Sequence, residues 1–206
     1  MERSVDALSP AEDETLDAIC GGEIRLLQGA RGYRFNLDPI LLAEFAASSG
    51  LGEPAIDLGT GTAIIPLLLV RRYGLRRVTG VELQPRLYDL ARRNVRLNGC
   101  DDQVSLALGD LCRVQDAFPR ESFAHVLANP PYRQVQASQR SPHLERAIAR
   151  SEVACTLSHV VRAAAHLLKS RGGFSLVVPA ARLPEAFTEL HARQLAPRRL
   201  RLVHAR

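Results

Sequence analysis

From Glu53 onward the chain alternates short apolar runs with longer amphipathic ones, and this alternation restricts the possible folds more than any other feature. PAIDL (54–58) and RRVTGVEL (76–83) read as strands, and so do VSLALGD (104–110), FAHVLAN (123–129) and GFSLVVP (173–179). RRLRLVHAR (198–206) is expected to be a sixth strand. Between them, TAIIPLLLVRRY and QPRLYDLARRNVRLN have helical spacing, and further helices are expected around 143–169 and 183–194. Pro66 is compatible with the first helix only near its first turn, and Gly99 is suited to end the second. Strands alternating with helices argue for an α/β domain with a mostly parallel, twisted sheet and helices on both faces.

Upstream, Ser9-Pro10-Ala11-Glu12 offers a cap, a first-turn proline and an acid at the third helical position, which predicts a helix to about Cys20. Gly21-Gly22 ends it, EIRLLQ reads as a strand, and GARGYRFN reads as a turn into a second extended piece. Asp38-Pro39 opens another helix that runs to Gly50. With no linker or repeat in view, residues 1–206 are expected to form one domain, 1–52 an extension and 53–206 the core.

Composition narrows the functional classes. No apolar run approaches the length of a membrane span, and the acidic start MERSVDALSPAEDETL lacks the pattern of a signal peptide, so the expectation is a soluble, cytoplasmic protein without membrane association. Cys20, Cys100, Cys112 and Cys155 are scattered without metal-ligand spacing, which predicts reduced thiols and no metal site. The net charge of +5 is unevenly distributed. Residues 1–20 carry −5, residues 21–132 carry +1, and residues 133–206 carry +9. Lys169 is the only lysine, so nearly all of this positive charge is guanidinium, which pairs with phosphate in a bidentate fashion and stacks on bases. The charge is compatible with a nucleic-acid partner and equally with a solvated surface.

Four strand ends carry polar groups. Asp57-Leu58-Gly59-Thr60-Gly61 forms a glycine turn that opens a helix, where the backbone can approach a ligand and free N–H groups are expected. Glu82 ends the second core strand, 25 residues after Asp57, where it could bind both hydroxyls of a ribose. Asp110 ends the third, within reach of an adenine edge. Ligands of parallel sheets bind outside the carboxyl ends of the strands, so these residues should converge on one rim with Asn129. A lone strand-end acid is usually a helix cap; four polar ends in succession argue for a ligand. Position 64 is Ile where a dinucleotide fingerprint requires glycine, which argues against a nicotinamide or flavin.

The fourth end is VLANPPY (126–132). Two prolines remove two donors and stiffen the exit from the strand. Asn129 and Pro130 can then present carbonyl oxygens to a flat amino group, with Tyr132 as an aromatic cover. A proline-rich turn packed on the core is the plainer alternative.

DLGTGTA, VELQP, GDL and NPPY, in this order and spacing, resemble the class I S-adenosylmethionine-dependent methyltransferases with an Asn-Pro-Pro-Tyr motif. The flanking GGEIRLLQGARGYRFNLDPILLAEFA and RAIARSE resemble the bacterial tRNA1(Val) adenine-N6-methyltransferase family. The likeness runs from about Leu16 to His204.

The resemblance implies a Rossmann-like fold with S-adenosyl-L-methionine as cofactor. Asp57, Gly59 and Gly61 would lie under its methionine part, Glu82 on its ribose, Asp110 on its adenine, and Asn129 at the transferred methyl. Asn129, Pro130 and Tyr132 would hold the target base as catalytic residues, with Pro131, Arg133 and Arg140 beside the substrate and Arg146 and Arg150 on phosphates. The sequence departs from the family at Ala63, where a third glycine is common, and after the sixth strand, where a seventh is expected and none is visible. An exposed edge at strand five would then invite association, so a monomer or weak homodimer is expected. The implied reaction is N6 methylation of an adenine in RNA, foremost tRNA. A protein glutamine, a DNA adenine, or an inactive cofactor- or RNA-binding remnant are the alternatives.

Overall fold

The computed structural model describes residues 8–31, 34–130 and 155–204. Five strands form a parallel sheet: β3 (Ala55–Leu58), β4 (Val78–Glu82), β5 (Val104–Leu108), β6 (Phe123–Ala128) and β7 (Leu168–Leu176), in the order β5-β4-β3-β6-β7. A separate antiparallel hairpin precedes it, β1 (Glu14–Ile19) with β2 (Ile24–Gly29). The helices are α1 (Asp38–Ala47), α2 (Ile64–Arg71), α3 (Pro85–Leu97), the single turn α4 (Val114–Ala117), α5 (Leu157–Leu167) and α6 (Leu183–Ala192). The α/β reading of the sequence therefore holds.

Strand alternation divides the core in two. Ala55, Val78, Val104 and Leu127 face Leu42, Leu67, Leu68, Ala91 and Val95 of α1, α2 and α3. Ile56, Leu58, Val81, Val126 and Ala128 face Val114, Val160, Ala164 and Leu167 of α4 and α5. Burial on both faces explains why β3 and β6 are apolar except at Asp57 and His125.

The structure corrects three sequence expectations. The segment before Cys20 is the strand β1, not a helix: Glu14 to Ile19 pair with Gly29 to Ile24, and Cys20 and Gly21 turn at positive φ. Pairing with β2 satisfies the backbone across the sheet and overrides the local capping signal. RRLRLVHAR is not a ladder strand among the described residues 198–204. Two of its arginines instead face α1, where Arg199 and Arg201 lie over the Phe45 ring at 4.6 and 5.8 Å. β7 begins at Leu168, inside the expected helix, with a register shift against β6 between Phe123 and His125. The seventh strand of the family pattern is not seen among the described residues.

Two asparagines, one on α3 and one at its C-terminal cap, fasten the hairpin to the core: Asn98 bonds the N–H and carbonyl of Arg25 at the surface, and Asn94 bonds it from inside. Asn94 on α3 is fully buried. Its Oδ1 accepts the Leu27 N–H at 2.6 Å. Its Nδ2 donates to the carbonyls of Leu27 and Thr62, each at 3.0 Å. Replacing Asn94 with Ala strands three buried backbone groups, and the expected cost is about 3 kcal/mol or more. Urea unfolding of Asn94→Ala should show this loss, and a change below about 1 kcal/mol would show that the Asn94 amide is not a fastening.

Candidate cofactor-binding rim

Parallel registry brings the polar strand ends together. Leu58 lies opposite Val81 on one side and Ala128 on the other, and Glu82 lies opposite Leu108. The residues that follow, Gly59, Asp110 and Asn129, therefore leave adjacent strands at one edge, the edge where parallel-sheet proteins bind ligands. Asp57 and Glu82 point to the same sheet face, beneath the start of α2.

The turn is held by specific bonds. The Gly59 and Thr60 N–H groups both donate to the Val81 carbonyl at 2.9 Å. The Gly61 N–H donates to Glu82 Oε2 at 2.8 Å. Most of the donors expected to be free are thus occupied. Those of Thr62, Ile64 and Ile65 are without a backbone partner among the described residues. Gly59 takes φ +76° and is exposed, and a Cβ there or at Gly109 would meet nothing within 4 Å. The turn therefore presents bare backbone to open space. Gly80 shows the reverse constraint: a Cβ there would meet the Thr60 side chain at 2.9 Å.

Three acids line this rim, and none forms an ion pair with a described residue. Asp57 is fully buried, and among the described residues neither carboxyl oxygen has a hydrogen-bond partner, nor do the Thr60 and Thr62 hydroxyls. Burial pushes the Asp57 carboxyl up to about 7; Thr60 opposes the shift and the Glu82 charge adds to it. Glu82 is also raised by burial, against the backbone N–H groups of Gln84 and Gly61 that it accepts. Asp110 is half-buried and accepts the Cys112 N–H at 2.8 Å, which caps the Leu111–Arg113 turn. Unpaired negative charge behind an open backbone shelf suits a cationic ligand that also carries hydroxyl groups.

Asn129 follows β6 half-buried, its side chain without a hydrogen bond among the described residues, and Pro130 beside it is buried. Asp57, Gly59, Gly61, Glu82, Asp110, Asn129 and Pro130 thus meet at one rim. Pro131, Tyr132, Arg133, Arg140, Arg146 and Arg150 lie outside the described residues. Sequence reasoning missed Thr60, Thr62, Gly80 and Asn94. A glycine inside a strand was a readable sign of close backbone approach at Gly80. Among the described residues, no group of three His, Cys, Asp or Glu could hold a metal ion, and no helix is long and apolar enough to cross a membrane.

Ala63 marks a strained point. It caps α2 at φ +65°, in the left-handed region, and is fully buried. Relief of left-handed strain is worth roughly 1–2 kcal/mol, whereas the lost methyl costs roughly 0.8 kcal/mol.

A sequence profile described as "Methyltransferase domain" matches residues 55–152. A tRNA1(Val) (adenine(37)-N6)-methyltransferase from Porphyromonas gingivalis is 29% identical over 157 residues, which cover 74% of this chain and 61% of that protein. One from Actinobacillus pleuropneumoniae is 32% identical over 149 residues, covering 71% and 59%. The chain thus spans less than two thirds of the length of these curated relatives. Among solved structures, the ribosomal protein L11 methylase from Lactobacillus delbrueckii subsp. bulgaricus superposes with a TM-score of 0.56 at 18% identity, covering 78% of this chain and 70% of that one. The YcgJ protein from Bacillus subtilis gives 0.56 at 16%, covering 75% and 68%.

Two outcomes are expected at this rim. Ala63→Gly should be close to neutral or slightly stabilising in thermal unfolding, where an ordinary buried Ala→Gly would cost about 1 kcal/mol. Asp57 ionises more readily in the unfolded chain than in the fold, so it removes stability as pH rises from about 4 to 7 and by a constant amount above. Asp57→Asn should match the parent near pH 4 and gain a lead that levels off above pH 7, of order 4 kcal/mol at most. Melting curves across that range check it; a lead that shrinks with rising pH would contradict the buried-acid account.

Proposed function

We propose that this chain, whose residues 55–152 match a methyltransferase-domain profile and whose fold is Rossmann-like, uses S-adenosyl-L-methionine to methylate the exocyclic N6 amino group of an adenine in RNA, with tRNA as the substrate. The observation that carries this reading is the position of Asn129-Pro130. These residues leave β6 beside the glycine turn of β3, with the Asn129 amide without a hydrogen bond among the described residues and an acidic, open shelf alongside.

The rim fits the cofactor by its donor set. Asp57 supplies negative charge beneath the turn for an ammonium and a sulfonium. Gly59 and Gly61 provide backbone that a ligand can approach closely. Glu82 keeps lone pairs for ribose hydroxyls after accepting its two backbone N–H groups, and Asp110 can take an adenine amino group. When bound, S-adenosyl-L-methionine supplies a methyl group activated by its positive sulfur.

The chain's own contribution is to hold the nucleophile. An adenine N6 lone pair is delocalised into the ring. In this reading Asn129 Oδ1 and the Pro130 carbonyl each accept one N–H of that amino group and favour a tetrahedral nitrogen. Tyr132 stacks on the base, and Pro131, Arg133 and Arg140 flank it. A base in a loop is splayed out and read by its edge. The proton is lost after the nitrogen becomes positive, so no strong general base is assigned. Orientation and hydrogen bonds to developing charge supply the acceleration. The RNA substrate agrees with the cytoplasmic location expected from composition and with the basic excess after residue 132.

Incubation with labelled S-adenosyl-L-methionine and unfractionated bacterial tRNA, followed by nucleoside analysis, should yield N6-methyladenosine. Asn129→Ala should lower kcat about 10²- to 10³-fold with cofactor affinity nearly unchanged. Glu82→Gln should instead weaken cofactor binding by calorimetry, because its amide N–H₂ meets a backbone N–H. Label in a protein glutamine, or cofactor binding without transfer to any RNA, would overturn the tRNA reading.

A further inference from the structure

A second surface feature adjoins the rim and plays no part in the chemistry above. An open groove of about 570 Å³ runs between the segment after β5 and the outer face of α5. It begins at Leu111 and Cys112, directly after Asp110, and is lined by Arg120, Arg162, Arg193, His166, Gln115 and Gln194. No described acid lines it. Asp116, next to Gln115, is engaged by Arg113 at 2.8 Å.

The three guanidinium groups are exposed, and their commitments are few. The guanidinium groups of Arg120 and Arg193 form no hydrogen bond or ion pair with a described residue. Arg162 makes one long bond, donating to the Cys112 carbonyl at 3.4 Å. His166 donates from Nε2 to the Phe118 carbonyl at 3.1 Å, one helical turn beyond Arg162. Many arginines elsewhere are paired, among them Arg34 with Asp17, Arg93 with Glu14, Arg182 with Glu185 and Arg201 with Glu44. Others, such as Arg25 and Arg92, form no ion pair with a described residue. The groove differs in gathering three guanidinium groups in one place without a described acid. Three exposed guanidinium groups with glutamines between them, in a groove that no described acid lines, form a surface for a polyanion. They can take bidentate phosphate contacts and add amide donors to sugar and phosphate oxygens.

We propose that this groove is a docking track for the sugar-phosphate backbone of the RNA strand next to the target base. The proposal rests on the reading of the substrate as RNA. The groove opens at Leu111 and Cys112, beside Asp110, and passes the Arg162–His166 turn of α5, a rise of about 6 Å along the helix. An RNA whose target base sits at Asn129 can therefore lay a neighbouring stretch of backbone along it. The contacts are to phosphate, so the track contributes affinity and orientation without choosing the base.

The test compares binding of bacterial tRNA over a range of KCl concentrations for the parent, Arg120→Gln/Arg193→Gln and Arg120→Lys/Arg193→Lys. The Gln pair should flatten the slope of log K against log salt by about 1.4 to 1.8, the equivalent of two phosphate contacts. It should raise the KM for tRNA and leave kcat and cofactor affinity unchanged. The Lys pair should recover most of the slope. A Gln pair with the parent's slope and KM overturns the groove assignment, while N6-methyladenosine formed by the parent leaves the functional reading standing. A slope change in a parent that transfers no methyl supports the groove and removes the enzymatic reading. A parent that binds no tRNA overturns both. Competition by polyglutamate as strong as by RNA of equal charge would assign the groove to an acidic protein and overturn the proposal.

Discussion

The rim depends on the parallel pairing of the central strand. Ala55–Leu58 is hydrogen-bonded on both sides, to Val78–Val81 and to His125–Ala128. In a parallel sheet all chains leave at the same edge, so Gly59 and Asn129 emerge side by side, with Glu82 at the same level. A one-residue slip of β6 would turn Ala128 to the opposite face and move Asn129 along the sheet. Burial of Ile56, Leu58, Val126 and Ala128 in one core, and of Ala55 and Leu127 in the other, makes such a slip costly.

That geometry is combined with an electrostatic cost. Asp57 lies under the turn with neither carboxyl oxygen bonded to a described residue, and burial moves it toward the neutral form near pH 7. Glu82 is buried beside it but is stabilised by two backbone N–H groups. The two acids therefore differ in kind: Glu82 orders the loop, whereas Asp57 holds potential that a cation can use. A group whose charge is costly in the free protein and compensated by ligand couples binding to stability. Ala63 adds a local backbone strain at the same turn.

Charge separates over the molecule in a way that fits two unlike ligands. The rim is acidic, matching a small cationic molecule, and the groove along α5 is basic, matching a polyanion. They meet at Asp110 to Cys112, where one short turn supplies an acid to the rim and a backbone carbonyl to Arg162. Keeping the two fields on different faces lets each act without neutralising the other.

The α/β class, the strand ends and the polar residues at them were determined by the sequence itself, because each is a local matter. Periodicity reports which faces are buried, glycine reports where the backbone must turn left-handed, and the order of motifs reports a topology with few alternatives. Asp57, Gly59, Gly61, Glu82, Asp110 and Asn129 were legible for that reason. What the tertiary structure alone decided depends on partners distant in the chain. Glu14–Ile19 is a strand because β2 pairs with it, although its local signal was helical. The arginines at 199 and 201 lie on Phe45 instead of extending the sheet. Asn94 reaches 67 residues back to Leu27, and no spacing in α3 announces that bond. The donors at Gly59 to Gly61 looked free in sequence and are taken by Val81 and Glu82, since only folding brings those acceptors within 3 Å. Local preference is written residue by residue, but hydrogen-bond satisfaction and charge compensation belong to groups that only the fold makes neighbours.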